Sequence, residues 1–257
     1  MVVNILVCLV YFNMDTNPSK ILVPSIVYED NDLLVINKPA GLLTHPVPSP
    51  SASYGTDPKS VVGWILQKYP QIKNIGDDPV RPGIVHRLDK YTSGLLLIAK
   101  TQATFSYLKK LFQERKIKKT YIALVHGELK NDHGIINLPL GKIGTKQTIK
   151  IHGKKELKEK EAVTEYKVTE RFNDYTLLEV SPLTGRTHQI RIHLNSIHHP
   201  VVGDNLYGVK KNGLKINRLF LHAYRLEFLA PSGKKLLLET DLPQELSKAL
   251  SLVNNTL

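Results

Sequence analysis

A single cysteine, Cys8, leaves this chain without an internal disulfide and without a cysteine-built metal site. Such usage fits a reducing compartment, and the cytoplasm is the expected location. Long apolar runs are missing as well. The segment from Met1 to Phe12 is apolar, yet far short of the roughly 20 residues a spanning helix needs. It lacks the basic start and small-residue cleavage site of a secretory signal, so residues 1–20 are expected to be a peripheral tail, with Met14 a second possible start. Negative charge is scarce: 23 acidic residues stand against 35 Lys and Arg, a net charge of +12. That excess favours a polyanionic partner, nucleic acid first, although solubility alone would also account for it. Gly141-Lys142-Ile143-Gly144-Thr145-Lys146 lacks the order of a phosphate loop, which leaves nucleotide binding unsupported. His188, His193, His198 and His199 have no acidic or cysteine partner at a ligand spacing, so no metal is expected.

What the chain does contain is an ordinary globular composition, 257 residues with 42% hydrophobic, enough for a sizeable core. Ile26-Val27-Tyr28 and Leu33 to Asn37 flank Glu29-Asp30-Asn31-Asp32 and predict a hairpin. Residues 162–171 and 175–181 predict a second hairpin around Asn173-Asp174, and 219–228 with 235–238 a third around Pro231-Ser232-Gly233. Helical spacing marks 60–69, ended by Pro70, and 101–113, whose Phe105, Leu108, Leu111 and Phe112 form one apolar stripe. Shorter helices are predicted at 187–197 and 243–252, and Tyr121 to Val125 reads as a strand. Pro48 to Pro58 reads as a surface loop, and 130–160, poor in apolar residues and rich in lysine from 142 onward, gives no clear element. Tight turns between consecutive strands force antiparallel neighbours. The expected class is therefore α+β, with one domain over 21–257 and no internal repeat.

Arg81 to Thr101, RPGIVHRLDKYTSGLLLIAKT, organises the rest. Gly83-Ile84-Val85 and Leu95 to Ala99 are apolar runs around a polar centre, which predicts strand, loop, strand. Asp89 lies in that loop, where functional groups held by rigid flanks are found. Its plain reading is a turn residue accepting from the Thr92 and Ser93 amides.

The order His86-Arg87-Leu88-Asp89-Lys90, one residue, then Thr92-Ser93-Gly94-Leu95 resembles the signature of the RluA-type RNA pseudouridine synthases. Asn37-Lys38-Pro39-Ala40-Gly41 with His45-Pro46, Lys118 to Gly127, Gly185-Arg186-Thr187-His188-Gln189-Ile190-Arg191 and Arg218 to Ala223 extend the likeness over roughly residues 25 to 250. The resemblance implies a mixed, mostly antiparallel sheet split by a catalytic cleft and flanked by helices. It further implies an isomerase that detaches uracil from its sugar through nitrogen and rejoins it through carbon, with no redox change and hence no cofactor. Asp89 takes the place of the indispensable catalytic residue, by covalent attack or by proton removal. Arg191 falls on the arginine that pairs with it, and a guanidinium beside a carboxylate favours its charged form; alone, Arg191 would read as part of a solvated basic face. Tyr121 matches the tyrosine that stacks on the base and assists proton removal, and its plain role is core packing. Arg87 matches a position that inserts into RNA when the target base is everted, with a phosphate contact or a salt bridge to Asp89 as alternatives. Leu221, with Leu219 close behind, matches the apolar floor of the pocket. Lysines of 109–119 and 142–160 suit backbone contact, and either run reads equally well as a solvated face.

Ribosomal RNA of the large subunit is the expected substrate and transfer RNA the alternative, acted on by a monomer away from membranes. Many members of the family carry an N-terminal RNA-binding domain, for which this sequence leaves no room. Two other classes compete. A binding module without catalysis would have no use for a carboxylate beside phosphates, and a glycosidic hydrolase would need a second acid, whereas Asp89 has Arg87 and Lys90 for neighbours.

Overall fold

Residues 22–46, 59–143, 146–149, 159–209, 214 and 216–254 are described here from a computed structural model. The tail at 1–20, the loop from Pro48 to Pro58 and most of the lysine-rich 142–160 run lie outside them.

Hydrophobic alternation decides the first layer. In β1 (Ser25–Glu29) and β2 (Leu33–Lys38) the chain folds back at Asp30, whose carboxylate accepts from the Asp32 and Leu33 amides at 2.8 Å each. β2 pairs on its other side with β3 (Ser93–Ala99), a strand buried along its whole length. Between them come α1 (Val61–Lys68), capped by the Ser60 hydroxyl and stopped ahead of Pro70, and a short turn of 3-10 helix from Pro70 to Asn74. After β3, α2 (Gln102–Gln113) is capped by Thr101 and buries Phe105, Leu108 and Leu111. The chain continues through β4 (Lys118–His126), β5 (His133–Asn137), β6 (Leu140–Ile143), β7 (Lys146–Ile149), β8 (Val163–Arg171), β9 (Tyr175–Pro182), α3 (Gln189–Ser196), β10 (Leu221–Leu229), β11 (Lys235–Glu239) and α4 (Gln244–Asn254).

Among the described residues the sheet order is β1-β2-β3-β10-β4-β9-β8-β5, with β11 beside β10 and β6-β7 forming a separate ribbon. Every pair is antiparallel except β3 and β10, so the α+β, mixed and mostly antiparallel architecture expected from the sequence is the one found. Period-two alternation sends Leu34, Ile36, Tyr121, Ala123, Leu178 and Val180 to one face with α1 and α3. Leu33, Val35, Leu95 and Leu97 go to the other face under α2, and Leu124 and Phe220 under α4. The face carrying α1 and α3 is the one that bears the site.

Two departures from the sequence reading have clear causes. Gly83-Ile84-Val85 is not a strand: Ile84 makes one isolated bridge to Ile98, after Pro82, which has no amide hydrogen, and Gly83 at φ 71°. β3 is nonetheless satisfied there, because the Ala99 amide donates to the Gly83 carbonyl at 2.9 Å and the Leu97 amide to His86 Nε2 at 2.9 Å. The polar stretch 130–160 supplies β5, β6 and β7, edge elements whose weak apolar alternation gives little signal.

The parallel join of β3 to β10 pairs Ser93 with His222 and Gly94 with Ala223. Gly94 has φ 115°, and a Cβ on it would lie 2.3 Å from the Ala223 carbonyl oxygen. Replacing it forces both a disfavoured backbone and a clash at the centre of the sheet. Gly94→Ala is expected to lower unfolding free energy by more than about 1 kcal/mol in urea titration, and wild-type stability for that variant would contradict this packing.

Candidate active site

The loop between His86 and Thr92 is held by its neighbours rather than by its own turn. The Thr44 hydroxyl donates to the Leu88 carbonyl at 2.8 Å and accepts from the Leu88 amide at 3.2 Å. On the other side of Asp89, the Lys90 carbonyl accepts from the Gly41 amide at 2.8 Å and from Lys38 Nζ at 3.2 Å. Lys38 also donates to the carbonyls of Leu42 and Pro39. The 38–44 segment therefore fixes the backbone on both sides of Asp89, which gives the Asn-Lys-Pro-x-Gly pattern a physical purpose that its sequence does not reveal. Burial pushes the Lys38 ammonium down to about 7, against the opposing pull of the Asp89 charge.

Leu88 turns into the core, and Asp89 turns out of it into the cleft. The Thr92 amide bonds the main-chain carbonyl of Asp89, which removes the plain turn-cap reading. The side chain is 17% exposed and, among the described residues, has the Arg191 guanidinium as its ion partner, Nη1 at 3.5 Å, with His188 Nε2 at 3.9 Å beside it. So the structure brings Asp89 and Arg191 together across 102 positions of sequence.

Arg191 is only 8% exposed, which ends its reading as a solvated helix face. It is anchored from behind. Its Nε and Nη2 donate to Asp204 Oδ2 at 2.7 Å and Oδ1 at 2.8 Å, a two-pronged pair that leaves Nη1 for Asp89. Asp204, with a side chain wholly shielded from solvent, also accepts from the Leu206 and Tyr207 amides. Burial raises its carboxyl, and the arginine with the two amides outweighs burial and holds it below the ordinary carboxylate range. The Tyr207 ring lies beneath the guanidinium, 5.1 Å from its carbon, and the Tyr207 hydroxyl meets His188 Nδ1 at 3.0 Å. His188 precedes α3 at φ 56° and is half-buried, which lowers its pKa. Gln189 ties that turn to β8 by donating to the Val163 carbonyl and the Thr164 hydroxyl while accepting from Thr184 and the Arg186 amide.

Asp89, Arg191, His188 and Gln189 line a cleft of about 420 Å³ that also includes Arg87, Lys119, Tyr121 and Leu221. Tyr121 pairs with Ala223 on one side and Val180 on the other, which aims its ring at the cleft face. Burial and the Asp89 charge raise its phenol well above the ordinary value, so it stays protonated at neutral pH. Leu221 borders the cleft whereas Leu219 lies in the core beside it. Arg87 is exposed on the rim and makes no salt bridge to Asp89. His193 faces Thr164 and Leu138, away from His188, and no group of three or more potential metal ligands occurs among the described residues.

The sequence singles out neither Asp204 nor Tyr207, and it marks His188 only as a metal-ligand candidate and as part of the Gly185 to Arg191 stretch. Once Arg191 is known to be buried, a second carboxylate is required, because a guanidinium taken out of water needs more than the one partial contact with Asp89.

With this geometry in hand, the comparisons are specific. The family described as RNA pseudouridylate synthase matches residues 32–196. The chain belongs to that family. It is 39% identical over 211 residues to ribosomal large subunit pseudouridine synthase D of Borreliella burgdorferi, covering 82% of this chain and 62% of that protein. To an uncharacterized RNA pseudouridine synthase of Aquifex aeolicus it is 40% identical over 248 residues, covering 93% and 75%. This chain thus spans well under the full length of these curated relatives. Among solved structures, human RNA Pseudouridylate Synthase Domain Containing 1 superposes with a TM-score of 0.69 at 26% identity, covering 90% of this chain and 89% of that one. Domain Containing 4, at 24% identity and a TM-score of 0.68, shows the same fold.

Lys38 offers a test of how the Asp89 loop is held. Its proton is bound up to an ordinary 10.5 in the unfolded chain but only to about 7 when folded. The unfolded state therefore binds more protons between those values, and this group makes stability rise with pH across that window. Lys38→Met is expected to flatten that rise relative to wild type when unfolding free energies are compared from pH 7 to pH 10, and an unchanged slope would contradict the burial.

Proposed function

We propose that the chain is an RNA pseudouridine synthase, an isomerase that converts uridine to pseudouridine in RNA, with large-subunit ribosomal RNA as substrate and transfer RNA the second reading. The observation that carries this is the Asp89 carboxylate, facing a nucleotide-sized cleft while one nitrogen of an otherwise immobilised Arg191 holds it. Family membership supplies the reaction. The N1 to C1′ bond of uridine breaks, the base turns over, and a C5 to C1′ bond replaces it; the proton lost from C5 is balanced by one gained at N1. No electron acceptor or transferred group is required.

Each residue has a part in this reading. Asp89 is the catalytic carboxylate acting at the target nucleotide, and Arg191, 3.5 Å away, orients it. Tyr121 gives the uracil a flat wall; as a neutral phenol it is suited to stacking and to donating a hydrogen bond. Leu221 floors the apolar side of the pocket. Arg87, on the rim, meets the RNA where the everted base leaves its stack. The catalytic unit is one domain over 21–257, working as a monomer in the cytoplasm; no helix among the described residues is long and apolar enough to cross a membrane.

The test uses a uridine-containing ribosomal RNA fragment and two proteins, wild type and Asp89→Asn. Pseudouridine formed by wild type and reduced at least about a thousandfold by the substitution is the expected outcome for a residue that acts at the reacting atoms. Free uracil in the supernatant would instead identify a glycosidic hydrolase, and RNA binding with neither product a binding module.

A further inference from the structure

Lys119 precedes Tyr121 by two residues on β4, so the pleat puts both side chains on the same face, and both line the cleft. It is half-buried, and that burial draws its ammonium down to about 8. Among the described residues it has no carboxylate partner. Its contact is the Phe112 ring, with Nζ 6.0 Å from the centroid. His86, stacked on the other part of that aromatic wall at 4.8 Å from Phe112, offers no negative charge either. His86 Nε2 accepts from the Leu97 amide, so the ring proton sits on Nδ1, and burial holds the imidazole neutral with its pKa down at about 3.

Of the other cations of the cleft, Arg87 is exposed to water and Arg186 donates to the Glu161 carbonyl, while two have carboxylate partners. Arg191 is paired with Asp204 and Asp89, and Arg115 with Glu161 at 2.6 Å. A half-desolvated ammonium with only an aromatic face beside it is an incomplete site, because removing charge from water without a counter-ion is costly and a ring replaces little of the lost solvation. The missing element is an anion brought from outside.

We infer that Lys119 is the binding point for one phosphodiester of the RNA, next to the nucleotide whose base rests on Tyr121. This deepens the pseudouridine synthase reading and rests on it. Two residues along a strand cover about 7 Å, the reach from a stacked base to its own backbone. A phosphate carries the full charge that the site lacks, which a uracil carbonyl does not.

The experiment measures dissociation constants of a single-stranded uridine-containing RNA across a salt series for wild type, Lys119→Met and Lys119→Arg in the full chain, with thermal melting of each. Lys119→Met is expected to melt higher than wild type, since an uncompensated buried charge is gone, yet to bind RNA about tenfold more weakly with its log–log salt slope reduced by about 0.7, the value of one single-strand phosphate contact. Lys119→Arg is expected to keep the wild-type slope, and in turnover the methionine variant's loss falls on KM more than on kcat. A methionine variant that unfolds, or that binds with wild-type affinity and slope, overturns the inference, as does an arginine variant with the reduced slope. Should wild type make no pseudouridine while Lys119→Met still loses its salt slope, the phosphate site stands and the isomerase reading fails; pseudouridine formation with an unaltered slope means the reverse.

Discussion

One guanidinium on the wall of this cleft stands between two carboxylates, Asp89 in the cleft and Asp204 buried behind it, and the way they divide the charge governs the rest. Arg191 gives two nitrogens to Asp204 and one to Asp89. Asp204 has no solvent access and spends its remaining lone pairs on backbone amides, so it acts as a fixed anchor. Asp89 keeps the more distant contact and partial exposure, so its oxygens are free to meet a substrate. A lone buried arginine would be pulled toward Asp89 or toward water. The second carboxylate prevents both, and it makes the first one usable. The trio sums to one negative charge, which disfavours a phosphate at the carboxylate itself.

Rigidity reaches Asp89 from a different part of the chain. Thr44, Gly41 and Lys38 grip the backbone one residue before and one residue after it. Those residues follow directly from β2, which pairs with β3, the strand that leads out of the Asp89 loop. Loop and clamp are thus mounted on adjacent strands of one sheet. Arg191, on α3, packs on the same face through Ile190 and Leu194. Both halves of the ion pair rest on shared core, which is the arrangement that holds a functional group to the tolerance chemistry requires.

Much of this was legible in the sequence, for uneven reasons. Hairpins, α2 with its Phe105, Leu108 and Leu111 stripe, and the buried run of β3 follow from local periodicity, and local periodicity found them. The meeting of Asp89 with Arg191 follows from nothing local; the family likeness supplied it. Asp204 was missed because Gly203-Asp204-Asn205-Leu206 has no periodicity and reads as a turn, while its role depends on how α3 lies against the loop that follows it. Gly83 to Val85 misled because an apolar triplet looks the same whether it makes a full ladder or, behind Pro82, a single rung. Thr44 carried no signal at all, since a hydroxyl that both donates to and accepts from one distant residue can be recognised only in three dimensions.

The most direct measurement is a crystal structure of the Asp89→Asn chain bound to uridine-containing RNA. On this account an everted uridine occupies the cleft, its base against Tyr121, its sugar beside position 89, and Arg191 still clasped by Asp204. RNA lying on another face, with the cleft vacant and Arg191 turned away from position 89, would contradict it.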